Sequence, residues 1–180
     1  MARRLRLPDP LTLLFHRALC SILSPEVSEM STSLRSARAH VRLARESDAA
    51  QIAKLSGQLG YPSTTEDILR RMRSLEPAAL HAVLVAESPE GEVIGWGHVS
   101  VNHLIENDVR AELNGLIVAE GQRSLGAGQR ILERAEKWAR QQGCRALHLR
   151  SNVIRTRAHQ FYERQGYEHY KTQKAFRKAL

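Results

Sequence analysis

The feature that most constrains the fold is a glycine-bearing loop between an apolar strand and a long amphipathic helix. The run from Leu116 to Gly128 reads LIVAEGQRSLGAG, with an arginine at position 123 and glycines at 121, 126 and 128. Glycines let an anion approach the backbone closely, and a helix start offers free N–H groups at the positive end of its dipole. The order Arg-x-x-Gly-x-Gly differs from both the nucleotide P-loop and the dinucleotide fingerprint. The segment therefore indicates a pyrophosphate-binding loop, or else a glycine-tolerant turn without a ligand.

The periodicity on both sides of this loop predicts a mixed α/β sheet covered by helices. Ser47 is the expected N-cap of the first helix, and Ser63-x-x-Glu66 reads as a capping box for the second. The turn Ser88-Pro89-Glu90-Gly91 predicts a hairpin between its flanking strands. We expect strands at 41–43, 81–86, 92–101, 110–118, 146–150, 167–170 and 174–178, and further helices after the loop and at 158–164.

Residues 1–40 differ in composition from the rest of the chain. They contain Pro8, Pro10 and Pro25, a run Met30-Ser-Thr-Ser33, and no long periodic pattern. We therefore expect a flexible or disordered extension at 1–40 and one domain at 41–180. An Arg-rich targeting segment, or sequence upstream of a true start at Met30, remains open.

The net charge and the cysteine content limit the kinds of partner and the cellular setting that the sequence favours. The net charge of +8 suits an anionic cofactor or a nucleic acid, but no helix-turn-helix, zinc-finger or RNA-binding pattern occurs, so nucleic acid is disfavoured. No apolar run approaches the roughly 18 residues that span a bilayer, and we expect no membrane partner. Cys20 and Cys144 are far apart and outside any metal-ligand spacing, which predicts no metal and fits a reducing, cytoplasmic setting.

Two motifs together carry a resemblance to a known family. Arg123-x-x-Gly126-x-Gly128 resembles the acetyl-CoA-binding motif of the GNAT N-acetyltransferases, and Ala158-x-x-Phe161-Tyr162-Glu163-x-x-Gly166-Tyr167 resembles a second segment of that family. The resemblance covers about residues 41–178 and implies a GNAT-type α/β fold, with helices on both faces of a central mixed, mostly antiparallel sheet, and acetyl-CoA as cosubstrate. It implies that the amides of 124–129 wrap the pyrophosphate and that 116–118 pair with pantetheine like a strand. Arg155 stands where many members carry Asn, and Asn152 lies three residues earlier. The implied cofactor-binding set is Leu116, Ile117, Val118, Arg123, Ser124, Leu125, Gly126, Ala127, Gly128, Gln129, Asn152 and Arg155.

Direct acetyl transfer to an amine requires a base for the amine and an acid for the departing thiolate. Tyr162, by its place in the second motif, is the candidate acid, because a phenol stays protonated at neutral pH. Glu112 is the candidate base or ammonium binder, since a carboxylate inside a strand is costly to bury without a partner or function. Strand alternation places Glu112, Asn114 and Leu116 on one face.

Further candidates surround the expected acceptor cleft. Asn114, His98 and Tyr61 are expected to bind substrate, and Tyr170 is a lesser candidate. A backbone N–H near Ile117 is expected to hold the oxyanion.

The sequence thus predicts an acetyl-CoA-dependent N-acetyltransferase acting on a small-molecule or peptide amine by direct attack in a ternary complex. An aminoglycoside-type enzyme and a protein N-acetyltransferase are the alternative enzymes. A non-catalytic acyl-CoA-binding or nucleic-acid-binding module is the alternative from another class. A homodimer is left open.

Overall fold

The computed structural model describes residues 39–180, so that the expected extension at 1–40 lies almost entirely outside the described residues. The described chain contains five strands and four α-helices, together with three short 3₁₀ turns. The strands are β1 (His40–Leu43), β2 (His81–Glu87), β3 (Val93–Asn102), β4 (Arg110–Val118) and β5 (Leu147–Leu149). The helices are α1 (Ala49–Leu59), α2 (Thr65–Arg73), α3 (Ala127–Gln141) and α4 (Thr156–Arg164).

The strands form one sheet in the order β1-β2-β3-β4-β5, which is also their order along the chain. The first three pairings are antiparallel, and the last is parallel because α3 carries the chain from the end of β4 back to the start of β5. The β4–β5 pairing extends only from Ala111 to Leu113 on β4. Beyond Leu113, the β5-facing edge of β4 has no strand partner among residues 39–180.

A β-bulge lies where β4 loses contact with β5. His98 of β3 pairs with Gly115, and the next residue, Val99, pairs with Leu113, which leaves Asn114 without an opposite residue. A bulge shifts the alternation by one residue. Leu113 and Leu116 consequently pack into the same core, whereas Glu112 lies on the opposite face. The expectation that Glu112 and Leu116 share a face was wrong, because the inserted residue reverses the alternation between them.

Helices cover both faces of the sheet, as the sequence predicts. On one face α3 buries Ile131 and Leu132 completely against β2 and β3. Complete burial of such side chains stabilises the fold by about 1.5–3 kcal/mol each. The approach is close at Gly97, where an added Cβ would lie 2.7 Å from the Cγ2 of Ile131. On the other face Ile52 of α1 packs with Ile68 of α2 and Val85 of β2.

The start of each of the first two helices differs from the prediction by one residue. The capping box of α2 consists of Thr64 and Asp67, because the Thr64 hydroxyl accepts a hydrogen bond from the Asp67 N–H at 3.1 Å. The adjacent pair Ser63 and Glu66 has the same pattern, which is why sequence alone misplaced the cap. Ser47 belongs to a 3₁₀ turn, and Asp48 occupies the N-cap of α1.

The two closing strands expected at 167–170 and 174–178 are absent from the described chain, and this expectation was wrong. Residues 167–180 form no strand, and Phe176 is fully accessible to solvent. The stretch has few apolar side chains and four cations between 171 and 178, so little apolar area is available to fix a strand register.

Candidate active site

The loop before α3 presents a series of backbone amides without acceptors. The N–H groups of residues 124–129 donate no hydrogen bond to any described residue, and the first backbone bond of the helix runs from Arg130 to the Gly126 carbonyl at 3.1 Å. Unpaired amides at a helix start are expected, but three more precede the helix here. The residues from 120 to 129 are exposed or half-buried except for Ala127. The loop therefore offers its amides at the surface.

The backbone of this loop contains two left-handed residues separated by a residue of negative φ. Ser124 has φ of +70° and Gly126 has φ of +85°. Turns that mix left- and right-handed residues are typical of anion-binding nests, in which neighbouring N–H groups point toward one acceptor. Among the described residues no side chain caps the helix at Gly126, so the positive end of the α3 dipole is uncompensated there. The residues present fit a pyrophosphate.

Two arginines flank the loop, but in different ways. Arg123, expected to add charge at the phosphates, donates its Nε–H to the Val118 carbonyl at 3.1 Å and lies 3.7 Å from Glu120. Arg157 of α4 reaches the Ser124 hydroxyl at 3.4 Å. Sequence analysis missed Arg157, although it directly precedes the second motif at Ala158. Arg157 is the cation that the structure places across the loop.

The open edge of β4 follows from its register with β3. Ala119 donates its N–H to Ile94, and hydrogen-bonded pairs alternate along an antiparallel ladder. Ile117 therefore forms a hydrogen-bonded pair with Trp96, and its N–H points toward β3. The amides of Leu116 and Val118 point away from β3, toward the edge that β5 does not cover. Near Ile117, the amides that face the open edge are therefore those of Leu116 and Val118, and the expectation that an N–H here holds an oxyanion stays a prediction.

Helix α4 brings Tyr162 to the same face of the sheet as α3. Phe161 lies 3.6 Å from the position that a Cβ on Gly128 would take, so α4 adjoins the first turn of α3. Tyr162 contacts the rings of Phe161 and Tyr167 and packs against the main core. Burial raises the pKa of Tyr162 to about 12, opposed by the nearby Arg155 guanidinium. Within residues 39–180 the Tyr162 hydroxyl has no hydrogen-bond partner.

Arg155 and Asn152 are already engaged in contacts within the chain. Arg155 donates to the carbonyl of Leu59 at 2.6 Å, which joins the start of α4 to the C-terminal end of α1. The Asn152 side-chain oxygen accepts the Ile154 N–H at 3.2 Å, as in an Asx turn. In this structure both residues shape the entry into α4, and their expected contact with a cofactor stays a prediction.

Glu112 is the centre of a polar row on the α1 face of the sheet. Its Oε2 accepts a hydrogen bond from Asn102 at 2.9 Å, and its Oε1 lies 2.7 Å from the guanidinium of Arg150. Beside it, the Asn114 amide donates to the Ser100 hydroxyl at 2.9 Å. Glu112 and Tyr162 thus belong to opposite faces, with the open edge of β4 between them. Sequence analysis missed Arg150, because the pairing depends on the parallel contact of β4 with β5.

His98 continues this polar row. Its Nε2 lies 3.2 Å from the Nδ1 of His81 on the neighbouring strand. Burial, together with the charge of His81, lowers the pKa of His98 to about 4, so the ring is neutral at pH 7. Tyr61 follows α1 with 67% of its surface exposed, and the Tyr170 hydroxyl lies 3.3 Å from the Nδ1 of His148.

No group of three or more His, Cys, Asp or Glu side chains in 39–180 is arranged to hold a metal ion. None of the helices in that part of the chain is long and apolar enough to cross a membrane. Cys144 is buried, and burial raises the pKa of its thiol. An unactivated thiol of this kind does not favour a covalent acyl-enzyme.

The fold and the loop define a class of acyl-group transferase, and comparison with known proteins identifies the family. Residues 48–167 match the acetyltransferase (GNAT) family. The chain belongs to this family, as its two motifs predict, and is an acyltransferase.

Individual relatives agree with this assignment. An aminoglycoside N(6')-acetyltransferase type 1 from Stenotrophomonas maltophilia is 30% identical over 132 residues, which cover 71% of this chain and 85% of the relative. The solved structure of aminoglycoside 6'-N-acetyltransferase AAC(6')-Ih from Acinetobacter baumannii has a TM-score of 0.69 at 20% identity, covering 79% and 99% of the two chains. Aminoglycoside N-acetyltransferase AAC(6')-Iy, solved in complex with CoA, has a TM-score of 0.69 at 18% identity, covering 79% and 97%.

Proposed function

We propose that this protein transfers the acetyl group of acetyl-CoA to the primary amine of a small molecule, by direct attack within a ternary complex. The observation that carries the proposal is the run of acceptor-free amides at 124–129, which lies beside the open edge of β4 and the half-buried Tyr162. When bound, acetyl-CoA supplies an activated acetyl group as a thioester. The domain that carries this activity is residues 41–180.

The backbone at the start of α3 binds the cosubstrate. The amides of 124–129 take the pyrophosphate oxygens, and Arg157 adds a positive charge next to Ser124. The outward amides of Leu116 and Val118 are available to the pantetheine arm and to the thioester carbonyl. These contacts use the main chain, so that side-chain identity at 116–118 matters little.

Tyr162 protonates the leaving group. The amine nitrogen forms a bond to the carbonyl carbon, the carbon–sulfur bond breaks, and the phenolic proton passes to the sulfur. With a pKa of about 12, the phenol is fully protonated at neutral pH and holds this proton until negative charge develops nearby. The acceptor amine in turn loses a proton to the other side of the site.

The polar row around Glu112 receives the acceptor. Glu112 attracts the ammonium form of the amine and takes its proton directly or through water, and Asn114 and the neutral His98 orient the remainder of the molecule. Both oxygens of Glu112 are engaged in the described chain, so direct proton abstraction requires the acceptor to displace one of these contacts. Tyr61 adds an exposed aromatic surface at the end of α1.

The acceptor class is best supported as a small molecule with several polar groups. The relative from Stenotrophomonas maltophilia is an aminoglycoside N(6')-acetyltransferase and is 85% covered by this chain. A protein amine is the alternative acceptor. The residues assigned here lie in one chain, so the proposal applies equally to a monomer and to a homodimer, and it places the enzyme in the cytoplasm, the reducing setting that its cysteine usage favours.

Two measurements test this function. Calorimetric titration with CoA measures binding, and a thiol-release assay measures turnover with acetyl-CoA and a panel of amino sugars, polyamines, aminoalkyl acids and a lysine peptide. We expect CoA binding and turnover with at least one small amine. CoA binding without turnover of any amine would support a non-catalytic binding module, and no CoA binding at all would refute the proposal.

A further inference from the structure

The ion pair between Glu112 and Arg150 joins two side chains of very different exposure. The Glu112 side chain is 11% exposed, whereas that of Arg150 is 81% exposed. Arg150 directly follows β5, and its guanidinium makes no other hydrogen bond within residues 39–180. Arg110, two residues before Glu112 on the same strand, forms no ion pair with it in this part of the chain. Arg150 is therefore the counterion of Glu112 in the described residues, and it is held at the surface by one contact.

The other groups around Glu112 are polar, and they include the titratable His148, which pairs with it on β5, and the cationic Arg110, which acts with Glu112 on the pKa of His148. Asn102 donates to the second oxygen of Glu112, and the neighbouring Asn114 donates to Ser100 on β3. A carboxylate that is largely removed from water is costly unless a cation compensates it. A positive charge in contact with Oε1, as Arg150 supplies, therefore stabilises the site whether or not a substrate is present.

We propose that Arg150 is an internal stand-in for the acceptor's ammonium group, and that the acceptor binds by displacing the guanidinium from Glu112. This inference rests on the proposed function, because it assumes that the amine binds at the Glu112 row. Primary alkylamines are almost entirely cationic at neutral pH, so that one cation replaces another and Glu112 stays compensated. The guanidinium can leave at small cost, because exposed ion pairs are weak and Arg150 then returns to water.

This exchange makes Arg150 a residue that sets the apparent affinity for the amine. An acceptor without a positive charge cannot replace the guanidinium and is discriminated against. The competition also makes the occupied and free forms of the site similar in charge, so that Glu112 does not become an isolated buried anion between turnovers.

The test compares Arg150→Gln with Arg145→Gln. Arg145 is exposed, lies just before β5 and has no side-chain partner in the described chain, so its replacement removes the same charge from the same region. With the best amine of the panel, we expect Arg150→Gln to lower KM by about two- to fivefold, the range that an exposed ion pair supports, with a smaller change in kcat. Arg145→Gln should keep the wild-type KM.

A thermal-shift measurement supplies a readout that a merely structural residue would not give. Because Glu112 loses its counterion, the ligand-free Arg150→Gln variant should melt at a lower temperature than wild type. Adding the amine to its CoA complex should raise the melting temperature by more than it does in wild type. A KM that is unchanged or higher in Arg150→Gln would overturn the inference. A higher KM for aminoalkyl acids alone would also overturn it, because that result would show that Arg150 binds an anionic group of the substrate. If wild type releases no thiol with any amine, the proposed function itself fails.

Discussion

The role of the loop amides is tested most directly at Gln129, where one N–H can be removed with little effect on the helix. Gln129→Pro deletes the amide of the third residue of α3. This N–H donates to no described residue, so that no intrachain hydrogen bond is lost. Proline is tolerated in the first turn of a helix, and the preceding residue is Gly128, which has no Cβ to clash with the ring. Within residues 39–180 the exposed side chain of Gln129 forms a hydrogen bond only with Glu133, at 2.9 Å.

The expected effect can be worked out from a single hydrogen bond. A hydrogen bond from an N–H to a charged group contributes about 1.5–3 kcal/mol, which corresponds to a loss of about 10- to 100-fold in CoA affinity. The matched control is Gln129→Ala, which loses the same contact with Glu133 but keeps the amide. We expect its Kd for CoA to stay close to the wild-type value.

Isothermal titration with CoA measures the difference, and far-UV circular dichroism with a thermal melt verifies that both variants keep the fold. If folded Gln129→Pro and Gln129→Ala bind CoA equally well, the amides of this loop do not hold the pyrophosphate. The reasoning from acceptor-free N–H groups to an anion site would then be refuted, whatever the protein's activity.

Three further predictions concern Tyr162, His98 and Gly97. Tyr162→Phe should lower kcat by about 100-fold while the Kd for CoA is retained, because the variant loses the proton donor and keeps the ring; a wild-type kcat would exclude Tyr162 as the acid. His98, with its pKa lowered to about 4 from an ordinary 6.5, stays neutral in the folded state while the unfolded chain takes up a proton, so stability should fall as the pH is lowered from about 6.5 to 4. His98→Gln should melt with a weaker dependence on pH over that window, and equal slopes for the two proteins would contradict the prediction. Gly97→Ala should destabilise the fold by about 1–3 kcal/mol in urea titration, since the added Cβ meets Ile131 at 2.7 Å, and an unchanged midpoint would show that α3 shifts without cost.

The parts of the fold that sequence could predict are those determined by local signals. Each described strand between 40 and 149 and each helix was expected, because alternation, turn residues and glycines mark them within a few residues. The capping box lies one position later than predicted. Ser63 and Thr64 can both serve as N-caps, and only the backbone geometry selects Thr64. The prediction of closing strands at 167–170 and 174–178 was wrong, because a short charged segment has little apolar area to fix its register.

The parts of the site that sequence could not predict depend on long-range contacts. The loop amides at 124–129 belong to the first motif and Tyr162 to the second. Each motif is contiguous in sequence, so the positions of these groups could be expected. Arg150 contacts Glu112, which lies 38 positions earlier in the chain, and Arg157 contacts Ser124, which lies 33 positions earlier. A single sequence contains no signal for such pairs. Arg123 has the motif's positive charge, yet its guanidinium bonds to the backbone at Val118, which a pattern of residue types does not reveal.

The bulge at Asn114 connects these observations physically. Without it, alternation would place Glu112 and Leu116 on one face and β4 would offer a regular edge for β5 to follow. With one inserted residue, Leu113 and Leu116 both face the α3 core, and Glu112 turns its carboxylate to the opposite face. The β4–β5 pairing ends at Leu113, directly before the bulge, so that in the described chain the amides of Leu116 and Val118 are left unpaired between the two faces. In the proposed mechanism, an acyl group bound along that edge would lie between the Tyr162 hydroxyl on one side and the Glu112 carboxylate on the other, which is the arrangement that direct transfer requires.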